Sequence, residues 1–262
     1  MKKIYQIAGL PRSGSTLLTN ILLQNPKLHS TTTSSFLDFL VQIRDNWDKL
    51  EGHKTFPNGQ DKWKVLRGIT QTYHNTDKQI IFDKNRSWVE HIEYWEKLTG
   101  LKSRIICCTR NLPDITCSFE TLFRKNRANG EIHGEFSNTA MKSLDGRIQL
   151  WNSETGVIGR NFAQMRDAYN RGLADRMFIL PYQLWTSEPD KWFEKIYEFI
   201  GEPYFQHDFN NVNQVFREDD LGYGWGTDLH EIKMGKVETK KVDAASIIGK
   251  EWVDKLNKIH LW

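Results

Sequence analysis

The segment from Lys3 to Leu22 constrains the fold more than any other. Lys3–Ala8 (KIYQIA) is a short apolar run of strand character, and GLPRSGST follows at Gly9–Thr16. Leu17, Leu18, Ile21 and Leu22 then recur at helical spacing until Asn25-Pro26. A strand, a glycine-bearing turn and a helix in that order aim several backbone N–H groups and the positive end of a helix dipole at one point. The result is a phosphate site made from main chain, to which the Thr16 hydroxyl can add a bond. Loops of this kind that hold a nucleoside triphosphate carry a lysine just before the final Ser/Thr. Here Ser15 stands in that place, and the cation of the loop is Arg12, three residues earlier. A donor with no γ-phosphate and no metal suits that arrangement.

Three more runs predict strands, Gln79–Phe82, Arg104–Thr109 and Met177–Leu180, with Leu28–Thr31 as a weaker fifth. Each carries few charges, as parallel strands covered on both faces do. Helical stripes lie between them: Phe36, Phe39, Leu40 and Ile43; Trp88, Ile92, Trp95 and Leu98, with Ser87 as cap and Gly100 as stop; Ile115, Phe119, Leu122 and Phe123. Trp151, Ile158, Phe162, Met165 and Tyr169 predict one long helix, and Phe193, Ile196, Tyr197 and Ile200 another that ends at Gly201. Alternating strands and helices imply right-handed βαβ units, hence an α/β fold with a central parallel sheet flanked by helices. Residues 48–78 and 127–146 are polar and read as excursions or lids, and no period returns after Gln206 until Trp252–Ile259. With no repeat, low-complexity tract or linker, residues 1–262 are expected to form a single domain.

The net charge of +3 gives no global field toward nucleic acid or a membrane, which leaves room for a local basic site. The apolar run of the basic N-terminus breaks at Pro11 and Arg12, short of a signal peptide, and no run approaches the roughly 18 apolar residues of a membrane span. A soluble chain is expected. Cys107, Cys108 and Cys117 are odd in number and lack metal-ligand spacing, which predicts reduced core thiols in a cytoplasmic protein.

The stretch PRSGSTLL resembles the 5′-phosphosulfate loop of sulfotransferases that use 3′-phosphoadenosine 5′-phosphosulfate (PAPS), where P-K/R-S-G-T-T is typical. The resemblance implies a P-loop-containing three-layer fold, PAPS as donor, 3′-phosphoadenosine 5′-phosphate (PAP) as product, and no metal. It implies that the backbone and hydroxyls of Ser13, Gly14, Ser15 and Thr16 hold the 5′-phosphate, while Arg12 contacts the bridging and sulfonate oxygens. RIICCTRNLPDITCSF looks like the 3′-phosphate motif of the same family, with Arg110 at a strand end and Ser118 early in the next helix. A planar guanidinium suits that task because it binds two oxygens at once. In IIFDKNRSW, Lys84 matches the lysine that points toward the bridging oxygen, an electrostatic role in a dry site. ILPYQLW resembles the late strand and tyrosine of these enzymes, which would set Tyr182 against the adenine. The likeness spans roughly Met1–Gln24, Gln79–Phe123 and Met177–Phe205.

The group that deprotonates the acceptor does not carry over. Cytosolic small-molecule members have a histidine two residues beyond the Lys84 position, where this chain has Arg86. Tyrosylprotein members have a glutamate soon after the first helix, where this chain reads HSTTTSSF. His29, Asp38, His91 and His133 are the candidates, with histidine preferred for its pKa near neutrality. In the tail, Lys240 or Lys241 is placed to approach the 3′-phosphate. A small-molecule kinase using ATP is the rival enzyme; Asp83 offers its metal-holding acid, but its loop lysine is missing. A non-catalytic nucleotide-binding module is the rival of another class. The acceptor is a small molecule, glycan, lipid or peptide, among which the sequence does not choose, and it leaves the oligomeric state open.

Overall fold

A computed structural model describes residues 2–56, 61–128, 139–223 and 225–261. All five strands form: β1 (Lys3–Gly9), β2 (Leu28–Ser30), β3 (Ile80–Lys84), β4 (Ile105–Thr109) and β5 (Met177–Pro181). They make one sheet in the order β2-β3-β1-β4-β5, every pair parallel. The helices are α1 (Ser15–Leu22), α2 (Phe36–Asn46), α3 (Glu51–Thr55), α4 (Lys62–Thr72), α5 (Ile92–Thr99), α6 (Leu112–Ala128), α7 (Leu144–Asn152), α8 (Gly159–Asn170), α9 (Tyr182–Ser187), α10 (Pro189–Ile200), α11 (Ala244–Ile248) and α12 (Lys250–Leu256).

Successive strand residues point to opposite faces, and both faces are covered. Ile7, Phe82, Ile106, Cys108 and Leu180 pack with Leu18, Ile21, Trp185, Phe193 and Ile196 from α1, α9 and α10. Ala8, Ile105 and Cys107 pack on the other side with Phe36, Ile92, Trp95, Ile115, Phe119, Ile148 and Met165. Each fully buried Ile, Leu, Phe or Met among them stabilises the fold by about 1.5–3 kcal/mol relative to its exposed state. Because β1 is central, connections leave it toward β2 on one side and reach β4 on the other. That reversal opens a crevice at the carboxyl ends of the strands, where ligands bind in open α/β sheets. The register sets Lys84 beside Ile7 and Cys108 beside Gly9, so the ends of β3, β1 and β4 meet at this edge.

Several expectations change. The long helix through Trp151 and Tyr169 is two helices, α7 and α8. The Ser153 hydroxyl donates to the Leu150 carbonyl at 2.8 Å, and Ile158 N–H reaches back to Trp151 O at 2.8 Å. A local hydroxyl bond competes with the helical ladder there, and the apolar period runs across the break undisturbed. Ser87 is not the cap of α5: Asn85 caps a 3₁₀ turn over Arg86–His91, its Oδ1 accepting from Ser87 N at 3.0 Å, and α5 follows His91 with no side-chain cap. Gly100 does stop α5. The segment 48–78 is no bare excursion: Asp61 caps α4 through Lys64 N at 3.0 Å, and Leu66 and Thr70 are buried. Of the second polar stretch, residues 129–138 lie outside the described residues. Cys107, Cys108 and Cys117 are buried free thiols. Among the described residues no helix is long and apolar enough to cross a membrane.

Candidate active site

The turn after β1 is built by close approach. Gly9 has φ 109°, and a Cβ there would stand 2.1 Å from the Cys108 carbonyl oxygen. Gly14 has φ 85°, with the Tyr182 ring 2.8 Å from where its Cβ would be. Arg12 lies between them at φ 54°, a left-handed conformation that costs a non-glycine residue about 1–2 kcal/mol. Ser13 differs from expectation. Its hydroxyl is fully buried and bonds the carbonyls of Leu10 (2.5 Å) and Cys108 (3.1 Å), so it braces the loop from beneath. Helix α1 begins at Ser15 with no side-chain cap, which leaves the N–H groups of its first turn without intrahelical acceptors.

The residues of this first turn line a cavity of about 530 Å³. Arg12, Gly14, Ser15, Thr16, Lys84, Arg110, Ser118 and Tyr182 all line it, as does Lys240 but not Lys241. Arg12 Nε donates to Ser118 Oγ at 3.1 Å, and its guanidinium also donates to the Leu229 carbonyl. Burial, and then the charge of Arg110, push the Arg12 guanidinium below its usual range. Arg110 Nη1 donates to the Arg12 carbonyl at 3.2 Å, and the guanidinium lies 4.6 Å above the Tyr182 ring. Tyr182 therefore packs between Gly14 and Arg110. Arg110 Nε and Nη2 are buried without a hydrogen-bond partner, although Nε stands 3.5 Å from an Asp114 oxygen. Buried charged donors left unmade are costly, so this fork fits an anion with two oxygens to offer.

Lys84 is 6% exposed. Its N–H donates to Thr31 Oγ1 at 2.9 Å and its Nζ to Thr33 Oγ1 at 3.4 Å, so HSTTTSSF stages the lysine. Burial, and then the neighbouring Arg86, push the ammonium down to about 8. Asp83 points the other way. Its Oδ1 accepts from Trp88 Nε1 at 2.8 Å, its Oδ2 stands 3.3 Å from His74 Nε2, and it is wholly buried away from the cavity. A metal-holding acid at the loop is therefore not available from this residue.

The C-terminal segment closes the far wall. Val215 N–H donates to Asn20 Oδ1 at 2.7 Å, Val212 bridges Gly235, and the Thr186 and Thr239 hydroxyls meet at 2.8 Å. This course brings His230 to the cavity. His230 Nδ1 lies 2.6 Å from Asp220 Oδ1 and 3.3 Å from Glu218 Oε2, and its backbone N–H donates to Asp220 Oδ2 at 3.0 Å. With Nδ1 engaged by carboxylates, Nε2 is the nitrogen left to accept a proton. Burial, and then the charge of Lys84, hold this imidazole below its ordinary pKa. Sequence reasoning missed His230; the available signal was a histidine amid acids and glycines in DDLGYGWGTDLHE. The predicted alternatives sit elsewhere. His29 lies on edge strand β2 beside His74 and Phe216, Asp38 is exposed on α2, and His91 stacks edge-on to Tyr94. None of these three lines the cavity, and His133 lies outside the described residues.

The pattern of the sulfotransferase family matches residues 6–206. The sulfotransferase of Alicyclobacillus acidocaldarius superposes with a TM-score of 0.50 at 13% identity, over 84% of this chain and 88% of that one. Sulfotransferase STF9 of Mycobacterium avium gives 0.49 at 16% identity, over 97% and 76%. The sulfotransferase domain of the Synechococcus PCC 7002 olefin synthase gives 0.49 at 15%, over 96% and 95%. At this identity the Alicyclobacillus likeness is one of fold. No curated protein matches.

Proposed function

Because this chain belongs to the sulfotransferase family, matched over residues 6–206, we propose that its donor is PAPS and its acceptor a hydroxyl or an amine. The observation that carries the donor is Arg110, whose Nε and Nη2 are buried without a hydrogen-bond partner beside Ser118 and Tyr182. In this reading Arg110 and Ser118 hold the 3′-phosphate, with Lys240 near it. The backbone of Ser13 and the backbone and hydroxyls of Ser15 and Thr16 hold the 5′-phosphate at the start of α1, with Gly14 giving the close approach. Tyr182 supports Arg110 from below. When bound, PAPS supplies a sulfonate whose bond to the phosphate oxygen breaks as the acceptor oxygen or nitrogen attacks sulfur. Arg12 and Lys84 neutralise charge at that oxygen, and His230 Nε2 takes the acceptor's proton while Asp220 steadies the resulting imidazolium.

The kinase alternative loses support, since Ser15 occupies the lysine position and Asp83 is spent on Trp88 and His74. The binding-module alternative is disfavoured by His230 and Lys84 lining one cavity. The packing of both cores on one sheet supports residues 1–262 as a single domain, and three buried free thiols support a reducing, cytoplasmic setting.

PAP alone, with chelator present, should raise the melting temperature. At a hundredfold excess over its Kd the stabilisation is about 2.7 kcal/mol, or roughly 5–10 °C for a chain of this size. Differential scanning fluorimetry against ATP with magnesium checks it; a rise with ATP–magnesium alone returns the kinase. Arg110→Ala should weaken PAP by on the order of 2 kcal/mol, the worth of a charge-assisted bidentate contact. Calorimetric affinity for PAP reads this, and an unchanged Kd removes Arg110 from the donor site.

A further inference from the structure

Seven cations line the cavity; Lys233, Lys236 and Lys240 are exposed, while Arg12, Lys84, Arg86 and Arg110 are half-buried or buried. Arg12 is tied to Ser118 and Leu229, Lys84 to Thr33, and Arg110 to Arg12 and Asp114. Arg86, two residues beyond Lys84, is different: among the described residues no hydrogen bond or ion pair holds its guanidinium. It is half-buried at the turn after β3. Burial pushes it below the usual arginine range, with Tyr223 and Glu218 the groups that oppose the shift. Neither serves it as a partner. Tyr223 is a neutral phenol whose hydroxyl donates to Glu218 Oε2 at 3.1 Å. Glu218 Oε2, which accepts that bond, also lies 3.3 Å from His230 Nδ1, and among the described residues no ion pair joins Glu218 to Arg86, although its buried Oε1 has no hydrogen-bond partner. Asp220, the other nearby acid, is engaged by His230.

The same cavity has an apolar wall of Phe119, Val157 and Trp225, with the Phe119 and Trp225 rings 4.8 Å apart. We propose that Arg86 reads a carboxylate on the acceptor, so that the acceptor class is hydroxy or amino acids with an apolar body. This rests on the reading of the cavity as a sulfonate-transfer site. A half-buried guanidinium without a counter-ion is disfavoured until an anion arrives. Arginine suits a carboxylate because its fork matches both oxygens. A neutral acceptor would leave that cation unpaired, and a cationic one would add repulsion from four positive side chains.

The test uses benzoate and benzamide, a pair alike in shape that differs in charge, titrated by calorimetry into the full chain with and without saturating PAP. Wild-type protein should bind benzoate at least tenfold more tightly than benzamide. Arg86→Gln should weaken benzoate at least tenfold and leave benzamide and PAP within about twofold, while Arg86→Lys keeps part of the preference. Equal binding of the two probes by wild type overturns the proposal without any variant, and so does wild type that ignores benzoate. Benzoate bound as tightly by Arg86→Gln overturns it also. If Arg86→Gln instead loses PAP tenfold, Arg86 belongs to the donor and the proposal falls. A wild type that fails to bind PAP strikes the donor reading instead; the benzoate series without PAP then decides this one by itself.

Discussion

Lys84→Ala is expected to lower single-turnover sulfonate transfer by at least about a hundredfold, near 2.7 kcal/mol of barrier, while PAP affinity moves by less than about threefold. Charge grows on the bridging oxygen as the sulfur–oxygen bond breaks, so a cation there helps the transition state more than the ground state. The ammonium is nearly out of solvent, 6% exposed, and held at Thr33, so its field is little screened by water. The same burial that makes it effective also makes it titrate early. Only the protonated lysine serves, and burial with Arg86 brings it down to about 8. In kcat/KM, which reports the free enzyme, activity should therefore fall as pH rises through about 8. The anionic donor draws the lysine back up, so the same limb in kcat should lie at higher pH. Arg12→Ala should lower rate and PAP affinity together, because the loop crest meets the donor before and during transfer. Transfer at the wild-type rate by Lys84→Ala would make the end of β3 a structural element and send the search for the cation elsewhere.

Physical locality decides how much of this was legible in the sequence. The β1–loop–α1 unit is contiguous, and its strand, glycines and helical period each act within a few residues, so the chain states it outright. Lys84, Arg110 and Ser118 stand at fixed offsets from strand ends, and parallel register carries those offsets into space without further information. The fold class follows from the same pattern. Where two structures share one period, the sequence is silent: Trp151 and Ile158 lie on one stripe whether or not the chain turns at Ser153. Helix α4 hid because charges dilute its stripe of Trp63, Leu66, Ile69 and Tyr73, and it is tertiary packing against α2 and α5 that stabilises it. Ser13 looked equivalent to its neighbours until the Leu10 and Cys108 carbonyls claimed its hydroxyl. His230 was least legible of all. Its segment has no period, and only long-range contacts such as Val215 to Asn20 and Thr239 to Thr186 bring it over the loop.

His230→Ala should lower turnover by roughly a hundredfold to ten-thousandfold, the range a positioned general base supplies, with PAP affinity within about twofold of wild type. A proton acceptor must be neutral beforehand. Burial and the charge of Lys84 keep this imidazole below its ordinary pKa, so it is neutral at pH 7 and gains its proton only as the solution becomes more acid. Activity should thus fall on the acid side below about 6.5, the unperturbed histidine value, and that limb should be absent in His230→Ala. Asp220→Asn separates a base from a brace. The carboxamide oxygen can still accept from Nδ1, although its NH2 then meets the His230 backbone N–H that Oδ2 held, and the charge that favours the imidazolium is gone. That carboxylate raises the His230 pKa, so its loss should move the acid limb to lower pH and slow transfer by about tenfold, a charge effect rather than a misplacement. A structural brace would behave otherwise: Asp220→Asn would leave the pH profile where it was, and since the lost bond to the His230 backbone N–H lowers the melting temperature in either case, the profile is what decides. If His230→Ala keeps both its rate and its acid limb, the proton leaves the acceptor by another route, and Glu218, already bonded by Tyr223 at 3.1 Å, is the next group to replace.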